Sequence, residues 1–390
     1  MTDEMSLPLG EVVDTTPAPR PARAVISGTW VDLVPFDVAA HGPDLFPATR
    51  GPGSAAIWAY LPNGPYPDYA AFEAYYTAAA AKDDPLLFAI VDKATGRAVG
   101  HATYLRIDPP NRCIEVGHIL YTPALMKTPA GTETMYLMAR HALETLGYRR
   151  YEWKCNALNA PSRRAAERYG FRFEGIFRHH MIVKGRNRDT AWFAMLEEEW
   201  PQIAVAFESW LAPENFDADG AQRVALGVFN ADRLEAAGRT LRRATSEDIP
   251  AIEAVQQAAY ARNRILLGVE PVPLLWNYKD VLRSREVWVA DSETEGREGL
   301  DGVLVLQARP DDLLIDSVAT APMAQGSGLG NALLAAGEAR ARSLGRTTAR
   351  LYTGEPLSAN IQWYRRKGFA IERVEQMPDR RLVHMAKVLG

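Results

Sequence analysis

Two stretches of this chain repeat each other. LGYRRYEWKC (146–155) followed by SRRAAERYGFRFEG (162–175) reappears as LGRTTARLYT (344–353) followed by NIQWYRRKGFAIER (360–373). Gly147, Gly170 and Phe171 recur as Gly345, Gly368 and Phe369, each at an offset of 198 residues. Chance pairing of LG and GF dipeptides explains one such match easily and three in register poorly. The repeat therefore argues for internal duplication at the period of a whole domain. With 390 residues the chain has room for two domains, each with its own core.

The two halves read in one order. In the C-terminal half, LRRAT (241–245) is strand-like and Ser246 can cap a following helix. A second helix is expected near 271–284. EVWVAD (286–291), GVLVLQAR (302–309) and LLIDSVAT (313–320) read as strands. A helix ending near Leu344 follows, then a strand at 347–353, a short helix at 357–368 and two final strands. The N-terminal half offers PLLFAIVD, GRAVGHATYLRI and RCIEVGHILYT as strands, a helix at 131–146, YEWKC as a strand, a helix at 160–169, and two long strands turning at KGRNRD (184–189). The expected fold class is α+β: two tandem domains, each a mixed, mostly antiparallel sheet flanked by helices. Their expected spans are 25–211 and 239–390. An acidic, breaker-rich linker is expected at 212–238 and a mobile tail at 1–24.

Between LLIDSVAT and the next helix lies QGSGLG (325–330), with three glycines in six residues. A glycine turn opening a helix can bind an anion, because the first helical turn leaves N–H groups free and its dipole favours negative charge. No Gly-Lys-Ser/Thr follows, and G-x-G-x-x-G is not met, so neither the P-loop nor the dinucleotide fingerprint applies.

Composition narrows the partners. Lys and Arg number 44 against 48 Asp and Glu, which does not suggest a nucleic-acid partner. No apolar run approaches the ~18 residues of a membrane span, so no membrane partner is expected. The first residues lack the apolar core of a secretory signal. Two cysteines, Cys113 and Cys155, are too few for a zinc ribbon or disulfide scaffold; no metal and a reduced, cytoplasmic setting are expected.

VATAPMAQGSGLG (318–330) resembles the Q/R-x-x-G-x-G/A signature of the GNAT superfamily, the acetyl-CoA-dependent N-acetyltransferases. NIQWYRRKGF (360–369) is similar to the family's Asn…Tyr-x-x-x-Gly-Phe segment. The resemblance implies acetyl-CoA as cosubstrate. It places the pyrophosphate on the turn Gln325, Gly326, Ser327, Gly328, Leu329 and Gly330, and the pantetheine arm along Val318 to Thr320. It makes Tyr364 the acid that protonates the departing thiolate. Asn360 lies four residues before Tyr364 on one helix face and is the matching coenzyme A hydrogen-bonding group. A thiol titrates near ~8.5 and a phenol near ~10, so that proton transfer costs about 2 kcal/mol unless the site lowers the phenol. For the base that deprotonates an ammonium substrate, Asp316, Glu355, His384 and a water chain stay open. A structural hydrogen bond accounts equally for Asp316.

Residues 113–200 resemble the ribosomal-protein alanine N-acetyltransferase branch. EVGHILYTP (115–123) matches its strand, with Glu115 a possible base or a buried, paired carboxylate. NAPSRRAAERYGF (159–171) matches its Asn-x-x-Ser…Gly-Phe segment, with Ser162 in the tyrosine's place and Asn159 as the matching asparagine. The phosphate turn departs: it reads MKTPAGTE (126–133). Aligned by family or by the offset, Gln325 falls on Met126 or Lys127, and Gly328 on Pro129 or Ala130. Proline removes a donor. The expected activity is acetyl transfer to the primary amine of a small molecule by the C-terminal half. The N-terminal half is expected to be structural or substrate-shaping, paired with its sister as an internal pseudo-dimer in a monomer or homodimer. The alternatives are a protein N-terminal acetyltransferase with an active N-terminal half, or a non-catalytic acyl-CoA-binding and sensing module.

Overall fold

Apolar runs such as LLFAIVD and EVWVAD are too short for core helices and rich in β-branched residues, so they form strands buried on both faces. The computed structural model describes residues 10–236, 238–292 and 299–389. It divides into two units, Met1–Trp200 and Pro201–Gly390.

The first unit contains β1 (Ile26–Ser27), β2 (Val31–Pro35), α1 (Val38–Ala48), α2 (Ser54–Trp58), α3 (Tyr69–Ala80), β3 (Leu86–Asp92), β4 (Ala98–Asp108) and β5 (Cys113–Tyr121). Next come α4 (Pro129–Arg140, prolonged by a π-helical turn at His141–Thr145), β6 (Arg150–Asn156), α5 (Ala160–Arg168), β7 (Arg172–Val183) and β8 (Arg186–Leu196). Its sheet runs β1-β2-β3-β4-β5-β6-β8-β7, antiparallel except between β5 and β6.

At the boundary α6 (Trp200–Leu211) begins, followed by α7 (Leu226–Phe229), β9 (Arg233–Ala236), β10 (Arg239–Arg243), α8 (Ile249–Leu267), α9 (Tyr278–Ser284), β11 (Glu286–Asp291), β12 (Leu300–Ala308) and β13 (Leu313–Thr320). The chain ends with α10 (Leu329–Ser343), β14 (Thr348–Gly354), α11 (Ser358–Arg366), β15 (Ala370–Gln376) and β16 (Arg381–Val388). The second sheet is β9-β10-β11-β12-β13-β14-β16-β15, the same order, again with one parallel pair, β13 and β14.

The duplication is exact in the backbone where the sequence repeat is visible. β6 and β14, and α5 and α11, begin and end 198 residues apart. Gly147 and Gly345 follow their helices with φ 67° and 68°; Gly170 and Gly368 do so with 92° and 90°. Each ends a helix in the left-handed region, where a side chain is strained.

α10 packs against its sheet through Leu329, Leu333, Ala336 and Gly337. A Cβ at Gly337 would lie 3.1 Å from the Ile315 side chain, so the helix sits as close to β13 as its glycine permits.

Three expectations differ from the structure. The segment 212–238 carries α7 and β9, and β9 pairs along its length with β10. What holds it is Arg340, 1% exposed, whose guanidinium donates to the carbonyls of Val228 and Phe229 and forms two hydrogen bonds with Glu286 at 2.7 and 2.8 Å. Burial alone would raise the Glu286 carboxyl; Arg243 and Arg340 outweigh it and hold it at about 2. In the expected tail, residues 1–9 lie outside the described residues. Over the rest, the Ala18 N–H donates to the Pro109 carbonyl at 3.1 Å, and Arg23 donates to the carbonyls of Ala80 and Lys82, both at 2.6 Å. The helix expected at 271–284 is α9 preceded by a separate 3-10 turn, Val272–Leu274, because Pro271 and Pro273 deny it donors.

Candidate active site

The parallel pair in the second unit holds for three rungs, Leu313↔Ala349 to Ile315↔Leu351, and then parts. The edge of β13 from Asp316 to Thr320 is left unpaired on that side. A β-bulge begins at the same point: Val305 faces Ser317 and Leu306 faces Ile315, so Asp316 is the extra residue. Between the parted strands opens a cleft of about 360 Å³, within the usual size of small-molecule sites.

One end of the cleft is the glycine turn. Gly326 has φ 83°, and Gly328, the N-cap of α10, has φ 88°. Neither conformation suits an L side chain, and an added Cβ would meet no atom within 4 Å, so the turn faces open space. No side chain caps α10. Among the described residues, the N–H groups of Gly326, Gly328 and Gly330 find no acceptor; that of Leu329 reaches Ser327 Oγ only at 3.4 Å. Ser327 Oγ donates to the Ala324 carbonyl at 2.7 Å, and Gln325 Nε2 to the Thr320 carbonyl at 3.4 Å, which ties the turn to β13. Gln325, Gly330, Val318 and Thr320 line the cleft. Asn360 and Tyr364 line it from α11, one turn apart as the spacing predicts.

Asp316 lies in the cleft wall, 7% exposed, and accepts a hydrogen bond from Arg285 Nε at 2.6 Å. Burial raises its carboxyl, and the opposing pull of Arg285 and of the Tyr352 hydroxyl does not undo this. Of the other two side-chain candidates for the base, Glu355 pairs with Arg381 at 2.8 Å and His384 with Glu375 at 2.7 Å, and neither lines the cleft. Tyr364 packs against Trp363 and Phe369 at ring separations of 4.8 and 6.1 Å. Burial, and then Tyr260, push its phenol up rather than down. The neutral phenol is therefore a weaker acid than free tyrosine, and its strength is as a hydrogen-bond donor.

Residues 262–276, which stand where the family builds its acceptor site, supply Arg262, Asn263, Leu267 and Pro271 to the opposite wall, but sequence reading missed the residues that complete it. Tyr260 of α8 hydrogen-bonds Ser317 at 3.1 Å, and Ser317 meets buried Gln256 at 3.2 Å. Tyr352 lies on β14 opposite Asp316. Arg380 donates to the Glu270 carbonyl at 2.7 Å and ties the β15–β16 turn to the loop after α8. A tyrosine on an amphipathic helix carries no mark of function; only the pairing of α8 with the bulge supplies one.

The first unit is built differently at the same points. Its strands part after Val116↔Trp153, so the residue beyond the last rung is Gly117 where the second unit has Asp316. Glu115 is therefore no counterpart of Asp316. It is a buried carboxylate held by Arg106 at 2.5 Å and Lys154 at 3.0 Å. The N-cap of α4 is Thr128, so Gly328 corresponds to Thr128 and not to Pro129 or Ala130, and Gln325 to Leu125. Thr128 Oγ1 accepts the Gly131 N–H at 3.1 Å and Pro129 has none, so this helix start is already closed. Met126 is exposed there, and Lys127 has φ 61°. Asn159 Oδ1 caps α5 by accepting the Ser162 N–H at 3.1 Å, and Ser162 Oγ accepts the Trp153 indole N–H at 3.1 Å. Both side chains are engaged within the unit. Burial pushes the Cys113 thiol up to about 12 and raises that of Cys155, as befits small buried hydrophobes. Among the described residues no group of three or more His, Cys, Asp or Glu is placed to hold a metal ion, and no helix is long and apolar enough to cross a membrane.

Residues 33–172 and 283–371 each match an acetyltransferase (GNAT) domain family. Among solved structures the chain is similar to a GCN5-related N-acetyltransferase from Brucella melitensis. That likeness has 48% identity over 55% of this chain and 97% of that one, with a TM-score of 0.54. It is also similar to a probable acetyltransferase of the GNAT family from Chromobacterium violaceum, at 38% identity over 51% of this chain and 99% of that one, with a TM-score of 0.47. Among curated proteins none matches. Two sheets of one topology, two domain matches and a 48% identical relative covered almost end to end converge: the chain belongs to the GNAT acetyltransferases and carries two such domains in tandem.

Proposed function

We propose that the second unit transfers the acetyl group of acetyl-CoA to the primary amine of a small molecule, and that the first unit supports it without turnover. The observation that carries this reading is the difference between the two helix starts: an uncapped glycine turn at α10, and a threonine-capped, proline-bearing one at α4. Acetyl-CoA brings the activated acyl group. The N–H groups of Gly326, Gly328 and Gly330 would hold its diphosphate, a charge-assisted contact at a helix N-terminus. The unpaired edge of β13 would bind the pantetheine arm and present an N–H to the oxyanion. Asp316 would take the proton of the incoming ammonium, and Tyr364 would donate a hydrogen bond to the departing thiolate. A cleft roofed by α8 and the Arg380 turn suits a small acceptor better than a polypeptide chain.

The test is calorimetric titration of the full chain with acetyl-CoA. One site is expected. Gly328→Ala, which forces a side chain into the left-handed region at a cost of about 1–2 kcal/mol, should weaken binding roughly tenfold. Thr128→Ala should leave binding unchanged. Two sites of equal affinity would overturn the assignment.

A further inference from the structure

One face of the first sheet gathers positive charge that the acetyl-transfer reading does not use. Arg188, Thr190 and Trp192 are alternate residues of β8 and share a face. Trp192 stands opposite Lys154 of β6, whose ammonium lies 3.8 Å from the indole centroid. Lys154 is 3% exposed in its side chain and reaches Glu152 at 2.5 Å and Glu115 at 3.0 Å. Arg106 of β4 reaches the same Glu115. From β7, His180 hydrogen-bonds Thr190 at 2.9 Å, while Phe177 and His180 lie 4.3 and 5.7 Å from the Trp192 ring.

Within this strip Glu115 answers Arg106, and Glu152 answers Lys154. Arg188 is the cation left over. It is half-buried, has no carboxylate partner among the described residues, and its Nε is shielded from solvent with no hydrogen-bond acceptor. Burial opposes its ionisation; the charges of Cys155 and Glu115 favour it without undoing this, and Arg106 adds a smaller opposing effect. The imidazoles of His118 and His180 are both pushed down by burial and by Arg106 and Arg188. Three residues around the strip, Arg106, His118 and His179, hold left-handed backbone at φ 48°, 46° and 51°. Such conformations cost of order 1 kcal/mol each and gather at functional sites. A guanidinium withdrawn from water without a partner is unfavourable unless an anion completes it.

We infer that Arg188, with Arg106 nearby, forms an anion-binding site of the first unit that takes the carboxylate or phosphate of a small molecule. The guanidinium fork matches either headgroup bidentately. Its residues belong to the first unit, and those lining the proposed acetyl-transfer cleft to the second.

The test is calorimetric titration of the full chain with inorganic phosphate and, separately, with benzoate. At least one anion should saturate a single site at about 1 mM. Phosphate would mark a phosphorylated ligand, and benzoate a carboxylate. Arg188→Met should weaken that binding roughly tenfold or more, Arg188→Lys should retain part of it, and Asp316→Asn should leave it alone. Arg188→Met should also keep or raise the thermal midpoint, since it removes an unanswered cation. The inference fails if neither anion saturates, if Arg188→Met binds undiminished, or if that variant melts lower.

Discussion

Replacing Asp316 with asparagine separates chemistry from folding. The carboxyl is 7% exposed, and its acidity is weakened by burial despite Arg285 at 2.6 Å. A carboxyl whose value is raised on folding favours the neutral form. The stability it contributes is fullest below its unfolded value and is lost as pH rises through the folded one. Once ionised, the buried group costs the fold stability, and a neutral isostere relieves that cost. Arg285 loses its ion partner, but it is a quarter exposed and sits 5.0 Å from the Trp276 ring centroid, so it is not stranded. Asp316→Asn should therefore melt within about 4 °C of the parent. Turnover should not survive so well. Removing a general base costs about 100-fold or more, equivalent to about 2.7 kcal/mol of barrier. The assay is thiol release from acetyl-CoA with an amine acceptor across pH 6 to 10. In the parent, kcat/KM should climb as Asp316 ionises. In the variant that limb should vanish, and the deficit should shrink at high pH, where the amine is neutral without help. A kcat/KM at pH 7 within threefold of the parent would refute the role of Asp316.

Two further outcomes follow from the geometry. Tyr364→Phe should lower kcat roughly 10- to 100-fold, the worth of one hydrogen bond to a developing charge, while acetyl-CoA affinity by calorimetry stays unchanged; an unchanged kcat would remove Tyr364 from the reaction. Glu133→Gln in α4 should cost about 2–3 kcal/mol by urea unfolding, because one carboxylate accepts the N–H groups of Thr29, Trp30 and Val31 at 2.6, 2.7 and 3.0 Å and an amide would turn a donor toward them; an unshifted midpoint would refute that.

The sequence was legible where local chemistry decides the backbone. β11 and β13 fall on the residues their apolar runs mark, and the paired glycines locate both helix ends. The two helix starts could not be aligned by offset. Thr128 and Gly328 are 200 residues apart while the helix ends keep 198, so the first helix, with its π-helical turn at His141–Thr145, is two residues longer, and no periodic trace marks this. The far wall of the cleft was in part equally hidden. Tyr260, Ser317 and Arg285 come together only because a bulge turns β13 under α8, and no spacing along the chain encodes that.

The grip of Arg340 on residues 228 and 229 governs how the protein can be divided. A fragment starting at residue 239 would strip β9 from the sheet border and leave a guanidinium without its two carbonyl acceptors in a dry interior. One starting at Pro201 would carry both. Anyone seeking the second unit by itself should cut at the start of α6, and expect the shorter fragment to aggregate.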